Sequence, residues 1–405
     1  MGDVYGSAKV RVYCRTASCC PRFTDEDRYP LAASAEGAGM LACRQCRPYR
    51  LPPALARGRG APELVCRGIR LIVDGALDEG TEASLAARLG VSGRHLRRLF
   101  MTHLGVTPDF LARSCRAHFA RRLLDDTDIS VTDVAFAAGY GSARQFNREF
   151  KRIFRDTPSR LRAGPVPGGR RAADGALTLR LWFTGALDWD ALTAFLAARA
   201  VPEVEQVDGR TYRRTIMVAG DPGFVELSPG GRDYLNLRVR LPHWASLMHV
   251  ADRARKIAGL DELLVPGCWD PFEVGVAAII EHYEASPAWR PIMHRLVSQL
   301  GRPVPGHAPS GLTRTFPEPG VVARAGTSLE AVSLTRTQAK AVASFASAVE
   351  HDAIRLDGSM TSGQLIGAIT AVPGVSASTA EYLALRMGEP AEARTFLPDR
   401  SSVGG

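Results

Sequence analysis

A helix-turn-helix pattern occurs twice in the first half of this chain and restricts that part to a small helical domain. The first copy, Ser84–Phe100, has leucines and a valine at helical spacing on both sides of Gly90. Gly90 predicts a sharp turn between two helices, and Ser92 predicts the N-cap of the second one. The second copy, Val131–Phe150, repeats the arrangement around Gly139. We therefore expect an all-α domain with two such motifs.

The second helix of each motif is rich in basic side chains. A basic helix held by an apolar partner helix fits the major groove of DNA, where arginine forms bidentate contacts with guanine and phosphate. The side chains that we expect to face DNA are Arg94, His95, Arg97, Arg98, Arg144, Asn147, Arg148 and Lys151. The net charge of +9 agrees with a polyanionic partner. A solvated arginine face on an ordinary helical bundle is the alternative.

Residues 65–163 resemble the AraC-type DNA-binding domain along their whole length. The residues that carry the resemblance are Asp133–Tyr140, Phe146, Phe150 and Thr157–Arg162. The resemblance implies two recognition helices, joined by a long linker helix, that enter successive major grooves on one face of the DNA. By position, these helices begin near Ser92 and Ser142.

The length and composition indicate a multidomain globular protein. The chain has 405 residues, of which 45% are hydrophobic and 23% charged, so several domains with their own cores are expected. No apolar segment reaches membrane-spanning length, and the first residues lack the layout of a signal peptide. We therefore expect a cytoplasmic protein whose cysteines are ligands, nucleophiles or buried residues rather than disulfides.

Cysteines are concentrated near the amino terminus of the chain. Cys43 and Cys46 form a pair with two-residue spacing, which places two thiolates within reach of one zinc ion. Cys14, together with either Cys19 or Cys20, would complete a four-sulfur zinc site. Neighbouring arginines would lower the thiol pKa values and attract phosphate. A group of free cysteines is the alternative.

Residues 1–50 resemble the zinc-binding methyl-acceptor domain of Ada-type DNA alkylation-response proteins. The segments that carry the resemblance are Tyr13–Arg15, Ser18–Pro21 and Ala42–Pro48. The resemblance implies that a zinc-bound thiolate takes a methyl group from a DNA phosphotriester, and that Cys14 is the acceptor. The first cysteines are spaced further apart than in the family, and the match is shorter at its amino end. We therefore expect a truncated module that binds zinc, with methyl transfer to Cys14 as a separate question.

A change in sequence character follows the helical domain. Residues 164–175 are rich in Gly and Pro and predict a flexible linker. Beyond it, strand-like runs and one amphipathic helix predict a small α+β subdomain over 176–243. From residue 245 to 405 the apolar spacing is helical. The helices predicted there cover 272–286, 288–300, 328–350, 362–371 and 377–387.

A helical hairpin is expected within Leu365–Arg386, where Pro373 and Gly374 separate two helical segments. A glycine turn at the start of a helix exposes backbone N–H groups, which bind a DNA phosphate without a charged side chain. Gly374 and Ser376 are the residues that we expect to contact DNA here. An ordinary pair of packed helices is the alternative.

Residues 176–400 resemble the AlkA-type 3-methyladenine DNA glycosylases, which contain a helix-hairpin-helix domain. The segments that carry this resemblance are Ala200–Thr215, Pro266–Glu273, Val372–Arg386 and Phe396–Arg400. The resemblance implies an enzyme that flips an alkylated purine into an aromatic pocket, where a carboxylate stabilises the developing sugar cation. Arg400 holds the position of the catalytic aspartate, and Asp399 lies one residue earlier. Ser376 replaces the second hairpin glycine, and the closing helices are missing from the match.

These features predict a mainly α, multidomain protein: a Cys-rich zinc module, a double helix-turn-helix domain, an α+β subdomain and an all-α glycosylase-like domain. We expect a regulator of the DNA alkylation response with a glycosylase-like module of weak or no activity. The alternative is an active repair glycosylase that releases alkylated purines with Asp399 as the catalytic carboxylate. The expected partner is double-stranded DNA, with RNA polymerase as a second candidate. We expect a monomer with no membrane partner.

Overall fold

The computed structural model describes residues 4–19, 27–51, 61–162, 175–260, 265–283, 288–304 and 311–388. The chain forms two compact units. Unit 1 consists of residues 1–186 and 218–252, and unit 2 consists of residues 187–217 and 253–405. The described residues are mainly helical, as the sequence predicts, and they also form short strands, of which those before residue 43 were not predicted. Within the described ranges, no helix combines the length and the apolar character needed to cross a membrane.

The cysteine-rich module at the start of unit 1 is built on a four-stranded sheet. Its elements are β1 (Val4–Ser7), β2 (Val12–Cys14), β3 (Asp27–Tyr29), α1 (Ala32–Gly37) and β4 (Leu41–Ala42), with 3-10 turns at Ala17–Cys19 and Pro48–Arg50. The strand order is β3-β1-β2-β4; β1 runs antiparallel to β2 and β3, and β4 runs parallel to β2. Val4, Tyr13, Ala35 and Met40 form its core. The strands are too short to give a period in the sequence.

The double helix-turn-helix domain follows as seven helices. They are α2 (Glu63–Val73), α3 (Glu82–Arg88), α4 (Gly93–Leu104), α5 (Pro108–Asp126), α6 (Val131–Ala137), α7 (Ala143–Phe154) and α8 (Pro158–Leu161). Gly90 and Gly139 have φ angles of 73° and 77°, a left-handed conformation that favours glycine. Ser92 and Ser142 each accept a hydrogen bond from the backbone N–H three residues later. The predicted turns and N-caps are therefore confirmed.

The two motifs have separate apolar contacts and share the long helix α5. In the first motif, Leu85, Leu96 and Phe100 are fully buried. In the second motif, Phe146 and Phe150 are fully buried, and their ring centroids lie 5.3 Å apart. Burial of such side chains is the main favourable contribution to the stability of short helices. Helix α5 connects the end of the first motif to the start of the second.

The next segment alternates strands with one helix. Its elements are β5 (Leu177–Trp182), α9 (Trp189–Arg199), β6 (Glu205–Asp208), β7 (Thr211–Val218), β8 (Asp221–Pro229) and β9 (Tyr234–Arg240). In unit 1, β9 pairs antiparallel with both β5 and β8. In unit 2, α9 precedes the antiparallel hairpin of β6 and β7. Strand β6 is absent from the sequence prediction because its residues are mostly polar.

The remaining helices are α10 (Leu247–Ile257), α11 (Pro271–Tyr283), α12 (Trp289–Leu300), α13 (Pro319–Ala325), α14 (Arg336–Glu350), α15 (Ser362–Thr370) and α16 (Ala377–Arg386). The prediction of one continuous helix over 328–350 is wrong. Residues Gly326–Val332 form a 3-10 helix, and Ser333 has a φ of 71° that interrupts the helical path. Helix α14 then begins with a capping box formed by Thr335 and Gln338.

Helices α11 and α14 approach each other closely at a glycine in the core of unit 2. Phe272 and Phe345 stack with centroids 5.7 Å apart and planes inclined by 12°. One turn along α11, a Cβ atom at Gly275 would lie 2.6 Å from the Phe345 ring and 3.1 Å from Leu383. Only glycine fits this position without displacing its neighbours.

We expect Gly275→Ala to destabilise unit 2. Alanine favours a helix by about 1 kcal/mol over glycine, but overpacking costs about 1–3 kcal/mol, so the steric cost should win. Gly367→Ala is the matched control, because Gly367 lies in α15 and an added Cβ would meet no atom within 4 Å. Urea unfolding followed by tryptophan fluorescence measures both variants. Equal stabilisation by the two alanines would contradict the close packing.

Candidate metal centre and nucleic-acid interface

Four cysteines of unit 1 form a compact cluster. The Sγ atoms of Cys14, Cys19, Cys43 and Cys46 all lie within 4.8 Å of one another. The sulfurs of Cys19 and Cys43 are 4.0 Å apart. A tetrahedral metal ion with metal–sulfur bonds of about 2.3 Å needs sulfurs about 3.8 Å apart. These four thiols therefore fit a four-coordinate metal ion. Cys20, the other candidate ligand, lies outside the described residues.

The sheet brings the two halves of the cluster together. Parallel pairing of β2 with β4 places Tyr13 opposite Ala42. Cys14 and Cys43 are the next residues along the two strands, so they become neighbours. The backbone N–H of Cys43 also donates to the Tyr13 carbonyl at 2.9 Å. Two cysteines that lie 29 positions apart in the sequence are thus placed side by side by a short ladder.

The four thiols differ in their accessibility. Cys14 and Cys43 are buried, whereas Cys19 and Cys46 are partly exposed. The backbone N–H of Arg15 donates to the Cys46 sulfur at 3.3 Å. Burial raises the pKa of the Cys46 thiol, and a bound divalent cation would oppose that rise. Methyl transfer to Cys14 stays a prediction, and it would need this buried sulfur to be uncovered.

The recognition helices α4 and α7 present their basic side chains to solvent. Of the predicted DNA-facing residues, His95 is partly exposed, and the exposed ones are Arg94, Arg97, Arg98, Arg144, Asn147, Arg148 and Lys151. Apolar side chains on the opposite sides of both helices are buried in the domain. The predicted DNA-facing residues are therefore available to a ligand on both helices.

Some of these side chains already have partners within the domain. Arg97 lies 3.7 Å from Glu82 of the preceding helix. Asn147 donates from its amide nitrogen to the Ala143 carbonyl at 2.8 Å. In the part of the chain that the structure describes, the basic residues without a carboxylate within ion-pair distance include Arg94, Arg144 and Lys151.

The predicted hairpin of unit 2 is present as α15, a turn and α16. Gly374 has a φ of 86°. Its carbonyl accepts a hydrogen bond from the Tyr283 hydroxyl at 2.6 Å, and Tyr283 is 38% exposed. Ser376 caps α16 by accepting from the Thr379 backbone N–H at 3.1 Å. The Ser376 hydroxyl oxygen thus satisfies one of the N–H groups that a phosphate would otherwise bind.

Unit 2 also contains a cleft with aromatic and charged walls. Its lining includes Trp269, Trp289, Tyr382, Arg214, Glu273 and Arg386. The Tyr382 hydroxyl oxygen accepts from Arg386 Nη1 at 2.7 Å and from Arg199 Nε at 3.2 Å. Since both guanidinium groups donate, the hydroxyl proton of Tyr382 is left to donate to a ligand.

A buried ion network forms one wall of this cleft. Arg214 is only 3% exposed, and its two terminal nitrogens lie 2.7 Å from Glu273 and 3.1 Å from Glu205. The Arg214 guanidinium also lies 5.4 Å from the centre of the Trp269 ring. Burial raises the pKa of Glu273 to about 7, although Arg214 acts in the opposite direction. Two carboxyl groups thus share a single buried cation.

Two regions of the chain match known family models. Residues 85–164 match a family described as "Helix-turn-helix domain", and residues 178–264 match the "AlkA N-terminal domain". The HTH-type transcriptional regulator GlxA of Rhizobium meliloti is 37% identical over 138 residues, which cover 34% of this chain and 39% of GlxA. A solved 3-methyladenine DNA-glycosylase from Archaeoglobus fulgidus aligns with a TM-score of 0.43 and 17% identity, over 52% of this chain and 80% of that one.

A longer match decides the family. The "Probable bifunctional transcriptional activator/DNA repair enzyme AlkA" of Mycobacterium tuberculosis is 33% identical over 416 residues. The alignment covers 94% of this chain and 81% of that relative. This chain belongs to the bifunctional AlkA family. The predicted resemblances to an AraC-type regulator and to AlkA are therefore confirmed.

In this AlkA-family chain, the predicted site residues fall into three groups. The cysteines at 14, 19, 43 and 46 converge, the basic residues of α4 and α7 are displayed on two helices, and Gly374 and Ser376 lie in the hairpin turn. Asp399, the predicted catalytic carboxylate, lies outside the described residues, as does Arg400. The roles of all these residues stay predictions.

The buried ion network of the AlkA-family cleft is not predictable from local sequence patterns. Arg214 follows Tyr212 by two positions on β7, and both side chains are buried. A charged residue on the core-facing side of a strand is unusual without a partner. The position of Arg214 on the same face of β7 as Tyr212 was the available signal for a buried charge. Its partner Glu273 lies on α11, however, and the sequence gives no distance between the two residues.

We expect Glu273 to make unit 2 less stable as the pH rises from about 5 to 7. A carboxyl binds its proton more tightly in the folded state when its pKa is raised there, so its stabilising contribution is greatest below the unfolded pKa of about 4.3 and is lost towards pH 7. The slope is at most about 1.4 kcal/mol per pH unit, and Glu273→Gln should remove it. Denaturant unfolding across this pH range tests the prediction, with Glu381→Gln on α16 as the control. Parallel pH profiles for wild type and Glu273→Gln would refute it.

Proposed function

We propose that this protein is a DNA-binding regulator of the alkylation-damage response that acts on duplex DNA in the cytoplasm. The observation that carries the proposal is the pair of exposed basic helices α4 and α7, which come before and after α5 in the chain. Helix α5 has 19 residues and is therefore about 28 Å long. Successive turns of the major groove are about 34 Å apart. A rod of this length suits two recognition helices that enter neighbouring grooves on one DNA face.

The transcriptional role follows from the family and from this arrangement. The Mycobacterium tuberculosis relative carries the words transcriptional activator and DNA repair enzyme in its name. An activator also contacts RNA polymerase, which we propose as the second partner. A monomer is sufficient for this mode of binding, since one chain carries both recognition helices.

We propose zinc as the metal of the cysteine cluster. Four thiol ligands without a carboxylate or carbonyl oxygen are the donor set of structural zinc sites, whereas calcium and magnesium prefer oxygen. When bound, zinc would keep the thiols deprotonated and hold the strands β2 and β4 together. The residues that would hold it are Cys14, Cys19, Cys43 and Cys46.

We expect Arg144→Ala and Arg148→Ala each to weaken sequence-specific DNA binding. Losing one arginine contact to a base costs about 1–3 kcal/mol of binding free energy. Losing one phosphate contact reduces the slope of log affinity against log salt concentration by about one. The probe is a duplex selected by the zinc-loaded protein from a randomised library, and binding is measured by gel shift at several salt concentrations. Arg210→Ala is the control, because Arg210 is an exposed arginine of unit 2 that pairs with Asp190. Unchanged affinity in both α7 variants would overturn the assignment of this helix.

Release of alkylated bases is a second candidate function, favoured by the cleft of unit 2. The aromatic faces of Trp269 and Tyr382 and the carboxyl groups of Glu205 and Glu273 line it. An alkylated purine carries positive charge, and such a cation is attracted to aromatic faces and carboxylates. The cleft therefore offers aromatic and carboxyl groups to the leaving group of a glycosylase reaction, although the guanidinium groups of Arg199, Arg214 and Arg386 also line it. The carboxylate that would stabilise the sugar cation is Asp399 in this proposal.

We expect weak or no release of 3-methyladenine and 7-methylguanine from methylated duplex DNA. A guanidinium at position 400 would raise the barrier to forming a sugar cation, and Asp399 would have to act from a shifted position. Chromatography of the released bases measures the reaction. If wild type releases base, Asp399→Asn abolishes release and Arg400→Ala does not, the active-glycosylase alternative is correct. Salt-sensitive DNA binding without base release supports the regulator.

A further inference from the structure

Helix α5 carries a polar stripe that is buried rather than exposed. Ser114, His118, Arg121 and Asp125 follow one another at spacings of four, three and four residues, which places them on one face of the helix. Ser114, His118 and Asp125 are 2%, 5% and 6% exposed. Buried polar groups of this kind need specific partners. Arg121 pairs with Asp125 on α5 itself, and the other partners of Ser114, His118 and Asp125 come from the cysteine-rich module of unit 1.

The first contact joins β2 and α1 to the middle of α5. The Glu36 carboxylate accepts hydrogen bonds from the Tyr13 hydroxyl at 2.7 Å and the Ser114 hydroxyl at 2.6 Å. His118 Nε2 lies 2.5 Å from the same carboxylate. Burial acts to raise the pKa of Glu36, but His118 and the hydrogen bonds outweigh it, so the pKa is lowered. Tyr13 immediately precedes the metal-ligand candidate Cys14.

The second contact joins the other cysteine segment to the end of α5. The Tyr49 hydroxyl donates to Asp125 Oδ2 at 2.8 Å, and Arg47 lies 3.6 Å from the same oxygen. The Tyr49 ring also meets Phe154 of α7 edge to face, with centroids 5.7 Å apart. Tyr49 follows Cys46 by three residues, so this segment also runs directly from the cluster to the recognition domain.

We propose that these two contacts couple metal binding at the cysteine cluster to DNA binding by the paired recognition helices. This inference rests on the proposed function. Metal binding fixes the segments that carry Tyr13 and Tyr49, and these hold α5 from one side. Because α5 joins the two motifs, its placement sets the spacing and orientation of α4 relative to α7. Tyr13, Glu36, His118, Tyr49 and Asp125 thus act as positioning residues for DNA binding.

The coupling has a specific signature. A residue that only supports folding would weaken binding to every DNA probe. A residue that sets the relation between two recognition helices should weaken binding to a full site but leave binding to a half site unchanged. The metal and the DNA must also affect each other by the same factor, because linkage between two ligands is reciprocal.

The experiment uses the full chain, zinc-loaded or stripped by a chelator under reducing conditions, with zinc content measured by mass spectrometry. The probes are the selected duplex and a shortened duplex that spans one recognition helix. The variants are Tyr13→Phe, Tyr49→Phe and the double variant, which remove only hydroxyl groups. Tyr5→Phe is the matched control, since Tyr5 lies in the same sheet and contacts Arg28 rather than α5.

We expect zinc removal to weaken full-site binding of wild type by about 5- to 150-fold, the usual range for coupled sites. In the double variant, zinc should remain bound, but the factor by which zinc raises the affinity for the full site should fall towards one. Half-site affinity should change in neither case, and Tyr5→Phe should behave as wild type. DNA should raise the zinc affinity of wild type by the same factor that zinc raises its DNA affinity.

Three results would overturn the coupling. The first is that zinc removal has no effect on full-site binding, and the second is that zinc has the same effect on wild type and on the double variant. The third is that the double variant loses zinc in the absence of DNA, which would mean that the tyrosines only hold the metal ligands in place. Failure of the zinc-loaded wild type to select or bind any duplex would instead refute the proposed regulatory function. The two failures are therefore distinguishable.

Discussion

The burial of the Glu36 carboxylate is the constraint on which much of unit 1 depends. A buried charge without partners is strongly unfavourable, so the chain must supply donors at fixed positions. Those donors come from two elements: Tyr13 on β2, and Ser114 and His118 on α5. Displacing the cysteine-rich sheet from α5 would leave the carboxylate unpaired. The electrostatic cost of that separation, together with the burial of Leu31 and Ala33 in the apolar core of the helical domain, holds the small sheet against that domain.

The repeated helix-turn-helix pattern could be predicted because its determinants are local. A left-handed glycine, a serine cap and helical apolar spacing are all contained within each motif, and all of them appear as expected at Gly90, Ser92, Gly139 and Ser142. The cysteine cluster was predictable in part, because residue type and the Cys43–Cys46 spacing indicate a metal. The choice between Cys19 and Cys20 depends on the path of the chain between two strands, which spacing does not determine.

What sequence reasoning missed is non-local. The contact of Arg214 with Glu273 joins a strand to a helix 59 positions away, and that of Tyr49 with Asp125 spans 76 positions. Each depends on tertiary packing that no local period encodes. The break at Ser333 was missed for a different reason: the apolar spacing continues through it, although the backbone φ of 71° interrupts the helix. The periodicity of apolar residues indicates which side chains are buried, but it does not show whether the helix between them is uninterrupted.

The side chain of Asn147 has a consequence for how α7 would distinguish one base pair from another. Its amide nitrogen is already engaged with the Ala143 carbonyl of the same helical turn. Contact with an adenine edge would exchange one amide hydrogen bond for another, so the net gain in free energy is small. A mismatched base would offer no such exchange, and the amide would stay with its own helix. If α7 enters a major groove as proposed, this position is suited to selectivity, while the neighbouring guanidinium groups would supply most of the attraction to the duplex.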